Sequence, residues 1–165
     1  MGFRHLWLAI ACIGLSLTLA SRSLAAGHLG DIIGAAIVQD DGSLLIGART
    51  IWLYGIYIPP TPITCLFILR PTRCGGRAAR ALELKIQGFV SCDKRGVYTD
   101  GSISAVCFVR RTVFSPGEDL AAYLLAGGWA LALPGAPFPY AALERIAEAR
   151  GFGLWGFQAD VITPR

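Results

Sequence analysis

Apolar and polar positions change their period several times along the chain, and each change marks an element. Ile32 to Val38 reads as a first strand, closed by Gln39-Asp40-Asp41-Gly42, a turn with the Asp-Gly pair that hairpins favour. Ser43 to Gly47 returns as a second strand, and Gly47-Ala48-Arg49 turns again into a third. From Ile51 to Ile58 apolar and aromatic residues follow without a break and stop at Pro59-Pro60. Such a run predicts a strand buried on both faces at the centre of the fold, ending in a loop poor in N–H donors. The segment from there to Thr72 reads as a loop.

In the second half the period shifts to that of a helix. Ala78, Ala79, Leu82 and Ile86 have helical spacing between Gly76 and Gln87, with Gly88 placed as a stop. Phe89 to Cys92 and Ile103 to Val109 read as two further strands, joined by a polar loop from Asp93 to Ser102. Ser115-Pro116-Gly117-Glu118 starts a second helix, whose Leu120, Leu124 and Leu125 form an apolar stripe ending at Gly127-Gly128. A third follows Pro139, with Leu143, Ile146 and Ala147 on one face and Gly151 as its stop. Five strands with a helix between the third and fourth is the order of an OB-fold, although the order alone does not select it.

The first residues belong to a different pattern. Arg4 and His5 precede an apolar run of 15 residues from Leu6 to Ala20, and Ser23-Leu24-Ala25 then offers small residues at −3 and −1. The run falls short of the roughly 20 residues that span a bilayer, so residues 1–25 read as a cleaved secretory signal peptide and 26–165 as one domain. No transmembrane anchor is expected after cleavage, and the mature chain is expected to be periplasmic or secreted.

A length of 165 residues suits a single domain, and the mean hydropathy of +0.54 owes part of its richness to the signal. Cleavage takes Arg4 and Arg22 from the 15 basic residues and none of the 11 acidic ones, leaving a net charge of about +2. So small an excess argues neither for nor against a nucleic-acid partner. Cys12 leaves with the signal, and Cys65, Cys74, Cys92 and Cys107 remain. An even number in an exported chain points to disulfides, since there is no C-x-x-C pair and His28 is the only mature histidine. Three pairings are open. The lone His28, near the flexible start, also argues against serine or cysteine hydrolase chemistry.

Asp41-Gly42 together with Leu53, Tyr54, Gly55, Ile56 and Pro59 resembles the staphylococcal-nuclease-like (thermonuclease) family, whose members carry a pattern close to D-G-D-T and then R-L-W-G-I-D-A-P-E. Further pieces look like family positions: Asp119-Leu120, Ala126 to Ala130, Tyr140, Glu144, Ala149-Arg150 and Gly153-Leu154-Trp155. The resemblance runs from about Gly34 to Trp155. It implies an α+β, mainly β fold: a five-stranded OB-fold barrel with about three helices. It also implies the disulfides Cys65–Cys74 and Cys92–Cys107.

The family hydrolyses phosphodiesters with one calcium ion, held by hard oxygen ligands, and two arginines that meet the charge on phosphate. Carried over residue by residue, the two metal carboxylates fall on Ser43 and Tyr57, the water-activating glutamate on Pro60 and the first arginine on Trp52. The second arginine belongs to a D-R-Y-G-R motif and falls on Ser102, or on Val97 if Asp93-Lys94-Arg95-Gly96 is aligned instead. None of these side chains can do the family's chemistry, so no catalytic set, metal or cofactor is expected.

Asp40, Asp41 and Asp100 are the acids that could replace the lost ligands, with calcium as cofactor in that alternative. Asp before Gly, however, is ordinary turn chemistry. Arg73, Arg77 and Arg80 would form one stripe on the first helix with Arg70 nearby, a candidate for phosphate or acidic polysaccharide, although such stripes are usually solvated faces. Trp52 and Tyr57 are candidates for binding a less polar ligand.

Three functions remain. The leading one is an exported domain that has lost hydrolysis and binds a partner or serves as a structural component of the envelope. The others are a calcium-dependent nuclease with a rearranged site and an accessory of extracellular polysaccharide assembly. The partner is unknown, an envelope protein or a saccharide being the candidates, and nucleic acid is not expected as a substrate. The intact mass of protein isolated from the envelope should correspond to a chain beginning at Ala26, and a mass retaining Met1 to Ala25 would contradict export by cleavage.

Overall fold

The computed structural model describes residues 30–60, 64–67, 70–73, 76–156 and 158–159. The signal-like start lies outside them. Strands β1 (Ile32–Val38), β2 (Leu44–Ile46) and β3 (Arg49–Leu53) form an antiparallel meander. Helix α1 (Gly76–Lys85) leads to the hairpin β7 (Phe89–Val97) and β8 (Ile103–Val109). β7 pairs antiparallel with β1, and β8 pairs parallel with β3, from Ile51↔Ile103 to Leu53↔Ala105. Those two pairings close a five-stranded mixed barrel, and with three helices the chain is α+β, mainly β and OB-fold-like.

The core fills the barrel. Leu44, Ile51, Val90, Cys92 and Cys107 are fully buried, and so are Leu82 of α1 and Leu120, Leu124 and Leu125 of helix α2 (Leu120–Ala126). Burying a leucine or isoleucine side chain in this way is worth roughly 1.5–3 kcal/mol each. α2 lies against β8, and β8 is the strand buried on both faces, from Ile103 to Cys107.

That corrects the expectation for the Trp52 run. Its burial alternates, with Ile51 and Leu53 inside and Trp52 partly exposed, and a turn at Tyr54 and Gly55 divides it into β3 and the short β4 (Ile56–Tyr57). β4 leaves the barrel and pairs with β10 (Leu131–Ala132). Aromatic residues at half-buried positions keep the sequence apolar without requiring cover on both sides.

Other boundaries differ for local reasons. β7 does not stop at Cys92 but runs to Val97, with a register shift between Lys94 and Gly96, because pairing with β8 continues where the side chains are already polar and exposed. The segment to Thr72 is not a loop: β5 (Thr64–Phe67) and β6 (Arg70–Arg73) form a hairpin, extended by β11 (Gln158–Ala159). The second helix begins at Leu120 rather than at Ser115. Glu118–Asp119 forms the short β9 on the edge of β8, and Asp119 caps the helix by accepting from the N–H groups of Ala121 (2.8 Å) and Ala122 (3.3 Å).

Asp119 also joins two helices. Its other oxygen accepts the hydroxyl of Tyr140, at 2.5 Å, from α3 (Phe138–Ala149). Burial first, and then this bond to a carboxylate, push the Tyr140 phenol well above its ordinary pKa. On α3 Tyr140 and Ala147 are buried and Leu143 packs against the core, so the predicted face holds at Leu143 and Ala147 and fails at Ile146, which is 47% exposed. Downstream, the backbone N–H of Leu154 donates to the carbonyl of Gly128 (2.8 Å), so the short 3₁₀ turn Gly153–Gly156 packs on the end of α2.

A disulfide joins Cys92 and Cys107, which face each other directly across β7 and β8 and are both fully buried. The pairing Cys65–Cys74 lies outside the described residues. Among the described residues no helix is long and apolar enough to cross a membrane, which is compatible with an exported protein, as is the disulfide. Replacing both Cys92 and Cys107 by alanine should cost about 3 kcal/mol of stability, the chain-entropy value for a loop of this size. Urea denaturation of the oxidised wild type and the variant measures it, and an unchanged midpoint would contradict the estimate.

Candidate functional site

Two hairpin turns of identical sequence build one end of the barrel. Asp41-Gly42-Ser43 joins β1 to β2, and Asp100-Gly101-Ser102 joins β7 to β8. In each, one aspartate oxygen accepts the serine backbone N–H (2.9 Å in both) and the serine hydroxyl (2.7 Å in both). The middle glycine takes a positive φ, 82° at Gly42 and 84° at Gly101, which a side chain would resist. Ser43 is fully buried, its hydroxyl also 2.8 Å from Gln39 Oε1, and Ser102 is 8% exposed. Both serines therefore lock turns. The repeated tripeptide is the signal in the sequence that pairs the two loops.

Beside the second turn lies a cleft of about 380 Å³. Trp52 of β3, Ile56 and Ile58 around β4, and Tyr98, Asp100 and Ser102 of the β7–β8 turn line it. The first turn reaches the same end, since a Cβ on Gly42 would lie 2.6 Å from Ile58 Cδ1. Ile56 belongs to the pattern that carries the resemblance, whereas Tyr98 and Ile58 carry no motif; Tyr98 is 51% exposed and gives the cleft a second aromatic wall. Among the described residues, no lysine, arginine or histidine lines it.

Of the five positions that the resemblance singles out, the structure brings Trp52 and Ser102 together in this cleft. Ser43 is enclosed in the first turn, Tyr57 is half-buried opposite Leu131, and Pro60 is exposed beyond β4. The candidate arginines lie elsewhere. Arg77 stacks on the Trp129 ring at 5.8 Å and Arg80 pairs with Glu83 at 3.0 Å on the exposed face of α1, whereas Arg73 lies in β6, ahead of the helix, so the three do not form one helical stripe. Asp41 and Asp100 are engaged in their own turns, and Asp40 is exposed beside the first. Among the described residues no three His, Cys, Asp or Glu side chains gather where a metal ion could be held.

No model of a known protein family matches the chain, and no curated protein matches it either. The resemblance in the sequence thus stands on its residues alone.

Electrostatics agree with the turn geometry. The Ser102 hydroxyl, and after it the Ser102 N–H, stabilise the charged form of Asp100 and hold its carboxyl below the ordinary 3.8. With a folded pKa lower than the unfolded one, the contribution to stability is complete above 3.8 and disappears as pH falls through the lowered value. The amide signal of Ser102 should titrate with an inflection below pH 3.8. An inflection at or above that pH in an NMR titration would mean that the turn does not hold the carboxylate.

Proposed function

We propose that this protein is an exported, catalytically inactive, thermonuclease-like binding module of the cell envelope. The observation that carries the reading is the cleft itself. Where the resemblance requires arginine at two neighbouring positions, the chain has Trp52 and Ser102, and the serine hydroxyl is engaged by Asp100. Tyr57 and Pro60 supply neither a metal ligand nor a group that activates water, and Ser43 is closed into its turn.

Each loss matters on its own. An arginine acting on a transferring phosphoryl group is worth about 10³ to 10⁵ in rate, and calcium bound by oxygen ligands supplies both substrate placement and charge. What remains is a recess with aromatic and aliphatic walls and a few polar groups, the usual composition of a small-ligand site. A site of this kind suits a ligand or partner side chain with an apolar surface better than it suits a phosphodiester. The signal-like start and the disulfide support a place outside the cytoplasm.

Purified mature protein should show no calcium-stimulated cleavage of DNA or RNA. The assay is run with and without calcium on the wild type and on Tyr57→Ala. Metal-dependent cleavage by the wild type would overturn the reading and return Asp40, Asp41 and Asp100 to consideration as ligands.

A further inference from the structure

We infer that the cleft is a receptor for an organic cation, an alkylammonium group seated between Trp52 and Tyr98 and facing Asp100. The inference rests on the reading of the cleft as a binding site rather than a hydrolytic one, and it adds the ligand's charge.

Three observations carry it. First, the two aromatic residues of the cleft are indole and phenol rings, whose faces carry negative quadrupole density and attract cations, tryptophan most of all. Second, the one charged residue in the lining is a carboxylate, and among the described residues no lysine or arginine forms an ion pair with it. Third, the turn spends four of its donors internally. The Ser102 hydroxyl and N–H go to Asp100, the Tyr98 N–H goes to the Ser102 carbonyl (2.8 Å), and the Gly101 N–H goes to the Tyr98 carbonyl (3.0 Å). An anion would meet a carboxylate, with the Trp52 indole N–H and the hydroxyls of Tyr98 and Thr99 as side-chain donors, whereas a cation would meet two aromatic rings and an ionised acid. A neutral apolar ligand would gain from the walls but nothing from Asp100.

The volume of about 380 Å³ accommodates a trimethylammonium group or the end of a lysine side chain, leaving room for the chain that carries it. Because Asp100 is exposed, its share of the affinity is screened by salt.

The test is a calorimetric titration of the full mature chain with choline, with its uncharged carbon isostere 3,3-dimethyl-1-butanol, with N-acetyl-lysine methylamide and with inorganic phosphate. Choline or the lysine derivative should bind about tenfold more tightly than the isostere, and more weakly as salt rises. Whichever of the two binds better tells whether the cation comes as a small molecule or as a side chain of a protein partner. Asp100→Asn keeps an oxygen for the turn and should bring the cation close to the isostere, and Trp52→Ala should weaken both. Equal affinity for choline and its isostere, an Asp100→Asn variant that binds the cation as the wild type does, or preferential binding of phosphate would each overturn the proposal. Those outcomes are separate from calcium-dependent cleavage of nucleic acid, which would overturn the non-hydrolytic reading beneath it.

Discussion

Closure of the barrel by the parallel pairing of β3 with β8 is the constraint on which the rest of the structure depends. Three of the five strands belong to a meander and two to a hairpin, and only the pairs Ile51↔Ile103, Trp52↔Ser104 and Leu53↔Ala105, with β1 against β7, turn them into one closed sheet. The Tyr54 N–H extends the ladder to the Ala105 carbonyl at 2.8 Å. Parallel pairing demands residues from distant parts of the chain, so its entropic cost is met by burial: β8 is buried from Ile103 to Cys107, and its Ile103, Ala105, Cys107 and Val109 share one core cluster with Leu120, Leu124 and Leu125 of α2. The disulfide between Cys92 and Cys107 fixes β8 to β7 two residues beyond the last of the β3–β8 pairs.

The same closure creates the site. β3 ends at Leu53 and turns away at Tyr54 and Gly55, while β8 enters from the turn at Ser102. The recess between them inherits Trp52 from one strand and Tyr98, Asp100 and Ser102 from the approach to the other. Tyr140 buttresses the departure of β3, since a Cβ on Gly55 would lie 3.3 Å from its ring, and Asp119 holds Tyr140 through its hydroxyl. A chain of contacts thus runs from the N-terminal cap of α2 to the wall of the cleft.

Much of this was legible in the sequence, and the failures share a cause. β1 and the strand from Ile103 to Val109 were readable because each is a continuous run bounded by turn residues, and the turn chemistry of Asp41-Gly42 was readable from local rules. The run at Trp52 misled because its periodicity is hidden when the outward positions are aromatic, so a bent, half-exposed segment reads as a buried strand. Polar residues at Lys94 and Arg95 hid the continuation of β7, since backbone pairing with β8, not side-chain hydrophobicity, keeps it extended. The positions that the resemblance singles out could be named one at a time, but their assembly could not. Tyr98 belongs to the cleft only because β7 and β8 make a hairpin whose turn folds toward β4, a consequence of register that no local pattern encodes.

The central claim is that Asp41 and Asp100 are spent on holding their turns and are not available to a metal ion. The most direct measurement follows the backbone amides of Ser43 and Ser102 by heteronuclear NMR while calcium is added to the mature protein. Both amides donate to the aspartates in question, at 2.9 Å each, so either would report a metal arriving on its carboxylate. Signals that stay in place through millimolar calcium are the predicted result. Saturable shifts of both amides together would contradict it, because they would show the two turns sharing one ion.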